Sequence, residues 1–263
     1  MNSSNRPVAL VTGASSGIGI DVARELARHG HDLVLTARRL APMAALAGEL
    51  RALGAAATVI AADLSRPGAA TALADDIAAR GLVIDVLINN AGLGAAGRFD
   101  TIEAGRIAEV MQVNIVALTE LTRLLLPGMV ERKRGKIMMV ASTAAFLPGP
   151  RMAVYFASKA YVLSLGEALA QELRGTGVAV SVLCPGATAT DFFVVAKADD
   201  TVMARSLRRM MKAADVARIG WQGLAAGKRV VVAGGLNRLM TLVSRFVPHA
   251  LTLPVTHKLM SRD

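Results

Sequence analysis

The stretch Val8–Gly19, VALVTGASSGIG, decides the fold. An apolar run ends directly in a turn with glycines at positions 13, 17 and 19, and the chain then enters an apolar segment long enough for a helix. Glycine permits the tight turn, and a helix starting there aims its free backbone N–H groups at whatever the turn encloses. A pyrophosphate suits such a cradle. The spacing is GxxxGxG rather than the commoner GxGxxG. Close packing of a helix on a strand would use the same glycines, so the surroundings have to decide.

Working outward, short strand-like runs recur at Leu33–Thr36, Thr58–Ala61, Val86–Ile88, Ile137–Val140, Val178–Leu183 and Val230–Val232, with helical segments in every gap. Continuous apolar strands alternating with helices imply a parallel sheet covered on both faces. The predicted fold is α/β: a single doubly wound Rossmann-type domain with a seven-stranded parallel sheet. Such sheets bind ligands beyond the C-terminal ends of their strands. Here those ends read VTGASSGIG, LTARR, AADL, INNAG, VASTA and LCPGATAT.

Bulk properties agree with a single core. The chain has 263 residues, 53% of them apolar but only 3% aromatic, so Ala, Val, Leu, Ile and Met must fill the interior. One cysteine, Cys184, excludes an internal disulfide and fits a reducing, cytoplasmic location. Four scattered histidines give no metal-ligand spacing. No apolar run approaches the roughly 20 residues that cross a bilayer, and the N-terminus has no apolar leader core. The net charge of +10 is concentrated in residues 197–263, where 12 Lys or Arg face 4 Asp. No nucleic-acid partner is expected.

Strand two ends in Arg38 and Arg39 with no acid at its tip. An acid there would bond the ribose 2′-hydroxyl of NAD, whereas an arginine accepts the 2′-phosphate of NADP. NADP(H) is therefore expected over NAD(H), with Arg38 the better candidate. Asp63, followed by Leu64, either accepts from the adenine amino group or caps the next helix.

Both tyrosines of the chain lie in VYFASKAY, Val154–Tyr161. On a helix over residues 152–174, Tyr155 and Lys159 are four apart and share a face, whereas Tyr161 points away. A neighbouring ammonium favours the phenolate and lowers the phenol pKa. Tyr155 is thus the expected acid and Tyr161 a packing residue.

Taken together, these residues resemble the short-chain dehydrogenase/reductase family. The matches are TGASSGIG at 12–19, NNAG at 89–92, Asn114, Ser142, YFASK at 155–159 and PGATAT at 185–190, in order from about residue 8 to about 190. The resemblance implies Tyr155 as general acid/base and Lys159 as its partner, also bonding the nicotinamide ribose. It implies Ser142 as the holder of the substrate oxygen and Asn114 as the holder of a linking water. Gly13, Ala14, Ser15, Ser16, Gly17, Ile18 and Gly19 would form the pyrophosphate turn, and Asn90, Ala91 and Gly92 the groove beside it. Pro185, Gly186, Thr188 and Thr190 would receive the nicotinamide carboxamide. Ser16 departs from those NADP-using members that carry a basic residue there.

The domain is expected to span residues 1–235, with an apolar substrate lid at about 191–213 and an amphipathic arm at 236–263. Phe192, Phe193, Val194, Val195, Met203, Leu207, Met210 and Met211 suit an apolar ketone or a 3-oxoacyl group, the latter carried as an acyl thioester. In the arm, Leu236, Leu239, Met240, Val243, Phe246 and Val247 recur at helical spacing, and Pro248 and Pro254 are expected to interrupt the chain beyond them. The arm either packs on protein or lies peripherally on an anionic membrane. A homodimer or homotetramer is what the family resemblance implies. A dinucleotide-binding regulatory protein with little turnover is the alternative.

Overall fold

A computed structural model describes residues 6–202 and 210–261. Seven strands form one parallel sheet: β1 (Val8–Thr12), β2 (Asp32–Ala37), β3 (Ala57–Ala61), β4 (Ile84–Asn89), β5 (Gly135–Val140), β6 (Val178–Cys184) and β7 (Val230–Val232). Their order is β3-β2-β1-β4-β5-β6-β7, all parallel. The chain moves outward from β1 to β3, then returns beside β1 as β4 and builds the other half. A crevice therefore opens between the ends of β1 and β4, the switch point where such sheets bind ligands.

Successive side chains of a strand point to opposite faces, and both faces here are dry. Val8, Leu10, Val34, Leu87, Ile137 and Met139 enter one core. Ala9, Val11, Leu33, Leu35, Ile88 and Met138 enter the other. The first core is covered by α3 (Ala69–Ala79), by α4 and α5 (Ala104–Met111 and Leu118–Glu131) and by α6 (Ala153–Glu172). The second is covered by α1 (Gly17–Arg28), α2 (Leu40–Ala52) and α8 (Ala213–Ala225). Truncating a fully buried leucine such as Leu10 to alanine costs roughly 2–5 kcal/mol in cores of this kind.

One helix is longer than the sequence pattern indicated. A π-helical segment, Gln112–Ala117, joins α4 to α5, and the continuous helix Ala104–Glu131 has the length and apolarity of a membrane span. Its apolar stripe, including Val110, Val113, Leu118 and Leu121, is spent on the sheet.

Beyond β6 the short helix α7 (Phe192–Val195) lies over the strand ends. The chain closes with α9 (Gly235–Ser244) and α10 (His249–Leu259). Pro248 does break the chain between them, standing as the N-terminal cap of α10. Pro254 does not. It sits inside α10, where its missing N–H costs one rung of the ladder without ending it. Met203 and Leu207, expected in the lid, lie outside the described residues.

Candidate active site

The glycine turn is held by its neighbour across the switch point. The Thr12 hydroxyl donates to the Ile88 carbonyl at 3.2 Å and accepts from the N–H groups of Asn90 and Ala91 at 3.0 and 2.9 Å. The Asn90 amide donates back to the Thr12 carbonyl at 2.9 Å. Asn90 thus fixes the turn from behind. Gly13 and Gly17 adopt φ of +68° and +57°, the left-handed region. A side chain at Gly19 would collide with the Gly13 carbonyl, so this third glycine lets α1 approach the strand.

From this turn a cavity of about 630 Å³ runs along the strand ends to the lid and the arm. That volume is within the usual range for a small-molecule site. Gly13, Ser15, Ser16, Gly17, Ile18, Arg38, Arg39, Asp63, Leu64, Asn90, Ala91 and Gly92 line its first part, and Ser142, Tyr155, Lys159, Pro185, Gly186, Thr188 and Thr190 its middle. Three expected residues lie off the wall. Ala14 is fully buried and donates its N–H to the Thr36 carbonyl. Gly19 is a packing position. The buried Asn114 side chain accepts from the Leu93 N–H at 2.8 Å and donates to the Leu93 carbonyl and the Ser158 hydroxyl, both at 2.9 Å. It pins the strand-four loop to α6, the helix of Tyr155.

The groove has features that fit a dinucleotide. Gly92 keeps space open beside the lysine, since a Cβ there would lie 3.3 Å from Lys159 Nζ. The exposed Arg38 and Arg39 flank the turn, and Arg39 donates to the Ser15 carbonyl at 3.2 Å. Asp63 caps no helix. Its carboxylate accepts from the N–H and hydroxyl of Ser65 at 3.2 and 2.7 Å. The Ser65 hydroxyl in particular holds Asp63 below the usual carboxylate range, with the Arg38 charge adding to the effect. Thr36 was not anticipated. Its hydroxyl is buried, with no hydrogen-bond partner among the described residues, at a residue that lines the cavity wall.

Further along the cavity, Ser142 caps a short 3₁₀ turn, Thr143–Phe146, accepting from the Ala144 N–H at 3.1 Å. Tyr155 and Lys159 share the cavity side of α6. The lysine ammonium lies 5.8 Å from the centre of the tyrosine ring but donates to the Val140 carbonyl at 2.8 Å. Here the expected lowering of the phenol is overturned. Burial pushes Tyr155 up to about 12, only partly opposed by a hydrogen bond from the Ser142 side chain. Burial likewise pushes Lys159 down to about 8. Desolvation disfavours both charged forms, and in this arrangement it is the largest influence on each. Tyr161 also differs from expectation. It is about one-third exposed, its hydroxyl 2.9 Å from that of Thr119, and is not part of the core.

The far end is built from distant segments. Phe192 of the lid packs tilted at 44° with its ring centre 5.0 Å from that of Tyr155, and Arg106 holds the lid by donating to the Gly94 and Val195 carbonyls at 2.8 and 3.2 Å. Met152, Tyr155, Phe156, Phe193 and Met260 form a third small core, with Met210 packed on it. The arm supplies Asn237, Met240, Thr241, Ser244, Thr256, Leu259 and Met260 to the cavity wall. Asn237 sits so close over Gly186 that a side chain there would strike it. None of these arm residues except Met240 carried a signal in the sequence: Asn237, Thr241, Ser244 and Thr256 are small polar groups, and Leu259 and Met260 lie beyond the apolar repeat of the arm.

Comparison with known proteins is consistent with this arrangement. Residues 7–201 match the family model of the short chain dehydrogenases. The ketoacyl reductase HetN of Nostoc sp. is 41% identical over 180 residues, covering 67% of this chain and 62% of that protein, so this chain spans under two thirds of its relative. A short-chain dehydrogenase from Sphingobium yanoikuyae, solved in complex with NADPH, is 33% identical with a TM-score of 0.82, covering 94% of this chain and 95% of the other. The bulky-bulky ketone specific alcohol dehydrogenase from Comamonas testosteroni is 29% identical with a TM-score of 0.77, covering 94% and 97%. With the turn, the switch-point crevice and the tyrosine–lysine helix all present, the chain belongs to the short-chain dehydrogenase/reductase family of NAD(P)-dependent oxidoreductases.

Proposed function

We propose that the protein is an NADPH-dependent reductase, reversible as a dehydrogenase, of an apolar ketone or 3-oxoacyl substrate, working in the cytoplasm. The observation that carries this reading is one continuous cavity along the strand ends. It has a glycine cradle and two arginines at one end, Ser142, Tyr155 and Lys159 at its middle, and an apolar lid at the other end. NADPH, when bound, supplies the hydride for the carbonyl carbon. Arg38 and Arg39 would hold the 2′-phosphate, the turn N–H groups the pyrophosphate, and Thr188 the carboxamide.

The carbonyl oxygen gathers negative charge as the carbon is reduced. Ser142 Oγ would donate to it, and Tyr155 Oη would give up its proton. A phenol at about 12 is well protonated at neutral pH, as the donor must be. The phenolate left behind lies in the same pocket as the Lys159 ammonium, which is the nearby positive charge able to stabilise it. Phe192 against the Tyr155 ring excludes water and offers an apolar surface to the substrate. The ketone-specific and ketoacyl-reducing relatives support the same substrate class.

We also infer a homodimer or homotetramer. Met111, Val116, Leu124 and Tyr161 leave exposed apolar surface on the continuous α4–α5 helix and on α6. A monomer by light scattering at assay concentration would remove this inference. The deciding experiment for function is NADPH oxidation, with NADH in parallel, against graded apolar ketones and 3-oxoacyl thioesters. Tyr155-dependent consumption supports the reading. Tight NADPH binding with no turnover across the series would favour the regulatory alternative.

A further inference from the structure

The last two helices are built inside out. In α9 the residues turned toward the protein are mainly Asn237, Thr241 and Ser244, with the edge of Met240, and in α10 the buried Thr256 occupies the inward position, with Leu259 beside it on the cavity wall. Their outer faces carry Leu236, Leu239, Leu251 and Val255, and the turn between them carries Phe246; Leu236, Leu239 and Phe246 are 71%, 58% and 80% exposed. A surface helix of a soluble protein normally turns its apolar stripe inward. Isolated exposed leucines are ordinary, but a continuous apolar face on two successive helices is not.

Charge selects what covers this face. The exposed cations Arg238, Arg245 and Lys258 sit on the same arm, and residues 216–262 contain no Asp or Glu. A second copy laid face to face would set these cations against their own equivalents. A bilayer with anionic headgroups would receive the apolar side chains and neutralise the cations together. The inner sides of the same helices wall the cavity, and the arm is tied to the lid by the Val202 N–H donating to the Ser261 carbonyl at 2.9 Å.

We propose that the outer face of α9 and α10 docks the protein on an anionic lipid surface, with the cavity mouth held against the bilayer so that apolar carbonyl substrates pass in from lipid. The docking stands on the arm alone. The delivery of substrate rests on the proposed reductase function.

Flotation of the purified full-length protein with phosphatidylcholine vesicles, with and without phosphatidylserine, tests it. Binding is expected only with phosphatidylserine and is expected to weaken as salt rises. The double variant Leu239→Glu/Phe246→Glu should bind at least about tenfold more weakly, since two apolar anchors become anions. Its NADPH turnover on a water-soluble ketone should stay within about twofold, because neither side chain lines the cavity. Leu53→Glu, on another exposed apolar position, should leave binding intact. Equal flotation of wild type and double variant, or none by wild type, overturns the proposal. A wild-type dimer that the double variant converts to monomer, without vesicle binding, would also overturn it and assign the face to a second copy. Vesicle binding without ketone turnover would sink the reductase reading and leave the docking in place.

Discussion

The two ends of the cavity are made in different ways. The cofactor end is mostly backbone: glycines at 13, 17, 19 and 92, a threonine hydroxyl collecting two N–H groups, and a helix N-terminus, all at adjoining strand ends. The substrate end is mostly side chain, and its parts come from far apart. Arg151 reaches His257 at 3.3 Å across 106 residues, and Met260 shares a small core with Met152 and Tyr155. One end tolerates almost no added atoms, whereas the other is an assembly of replaceable surfaces. A family can therefore keep its cofactor chemistry and change its substrate by altering the lid and arm.

The sharpest test lies where the two ends meet. Tyr155→Phe is expected to lower kcat for ketone reduction by roughly 10²–10⁴-fold, the usual contribution of a positioned acid. NADPH affinity, measured by fluorescence titration, should change little. A comparable loss of cofactor binding would mean that the tyrosine belongs to the cofactor end instead.

Within the cofactor end, Gly19→Ala places a methyl group against the Gly13 carbonyl and the Asn90 amide. NADPH Kd is expected to rise about tenfold or more, with a fall in Tm, since overpacking costs about 1–3 kcal/mol. Arg38→Ala should raise the Kd for NADPH about tenfold and leave that for NADH nearly unchanged, a loss near the lower end for a charge-assisted bond because the site is exposed. Equal effects on both cofactors would take the 2′-phosphate away from this arginine.

At the substrate end, Phe192→Ala is expected to raise KM for bulky ketones about fivefold, near the lower end of the roughly 1–3 kcal/mol of a lost apolar contact, with NADPH Kd unaltered. The smallest effect expected is in the pH profile. Lys159, pushed down to about 8 by burial, is charged below that pH and neutral above it. Tyr155, pushed up to about 12, keeps its proton throughout. Thus kcat/KM for reduction should decline as pH rises through about 8, as the charge that supports the phenolate is lost. A flat profile to pH 10 would separate the lysine from the proton transfer.

These contrasts explain which features were legible in the sequence. All seven strands were, because the inner strands, buried on both faces, must be apolar throughout, the edge strands β3 and β7 are short apolar runs, and helices fill the gaps in sequence. The glycine turn was legible because its function is carried by the absence of side chains at fixed spacing. Tyr155 and Lys159 were legible as an i, i+4 pair, although their titration was not. That depends on how deeply the folded chain buries them and on the Val140 carbonyl that takes the lysine. Thr36 looked like any strand threonine until burial left its hydroxyl unpartnered.

The amphipathic spacing of the arm was also visible, but not the direction it faces. A sequence shows the angle between its apolar and polar residues and nothing of which side meets the protein. Sequence alone determined the sheet, the glycine turn and the helix that pairs Tyr155 with Lys159, because these arise from local backbone demands and short periodicities. Only the tertiary structure decided that Asn237, Thr241 and Thr256 turn inward to the cavity while Leu239 and Phe246 turn out, because that orientation is set by contacts between segments distant in sequence.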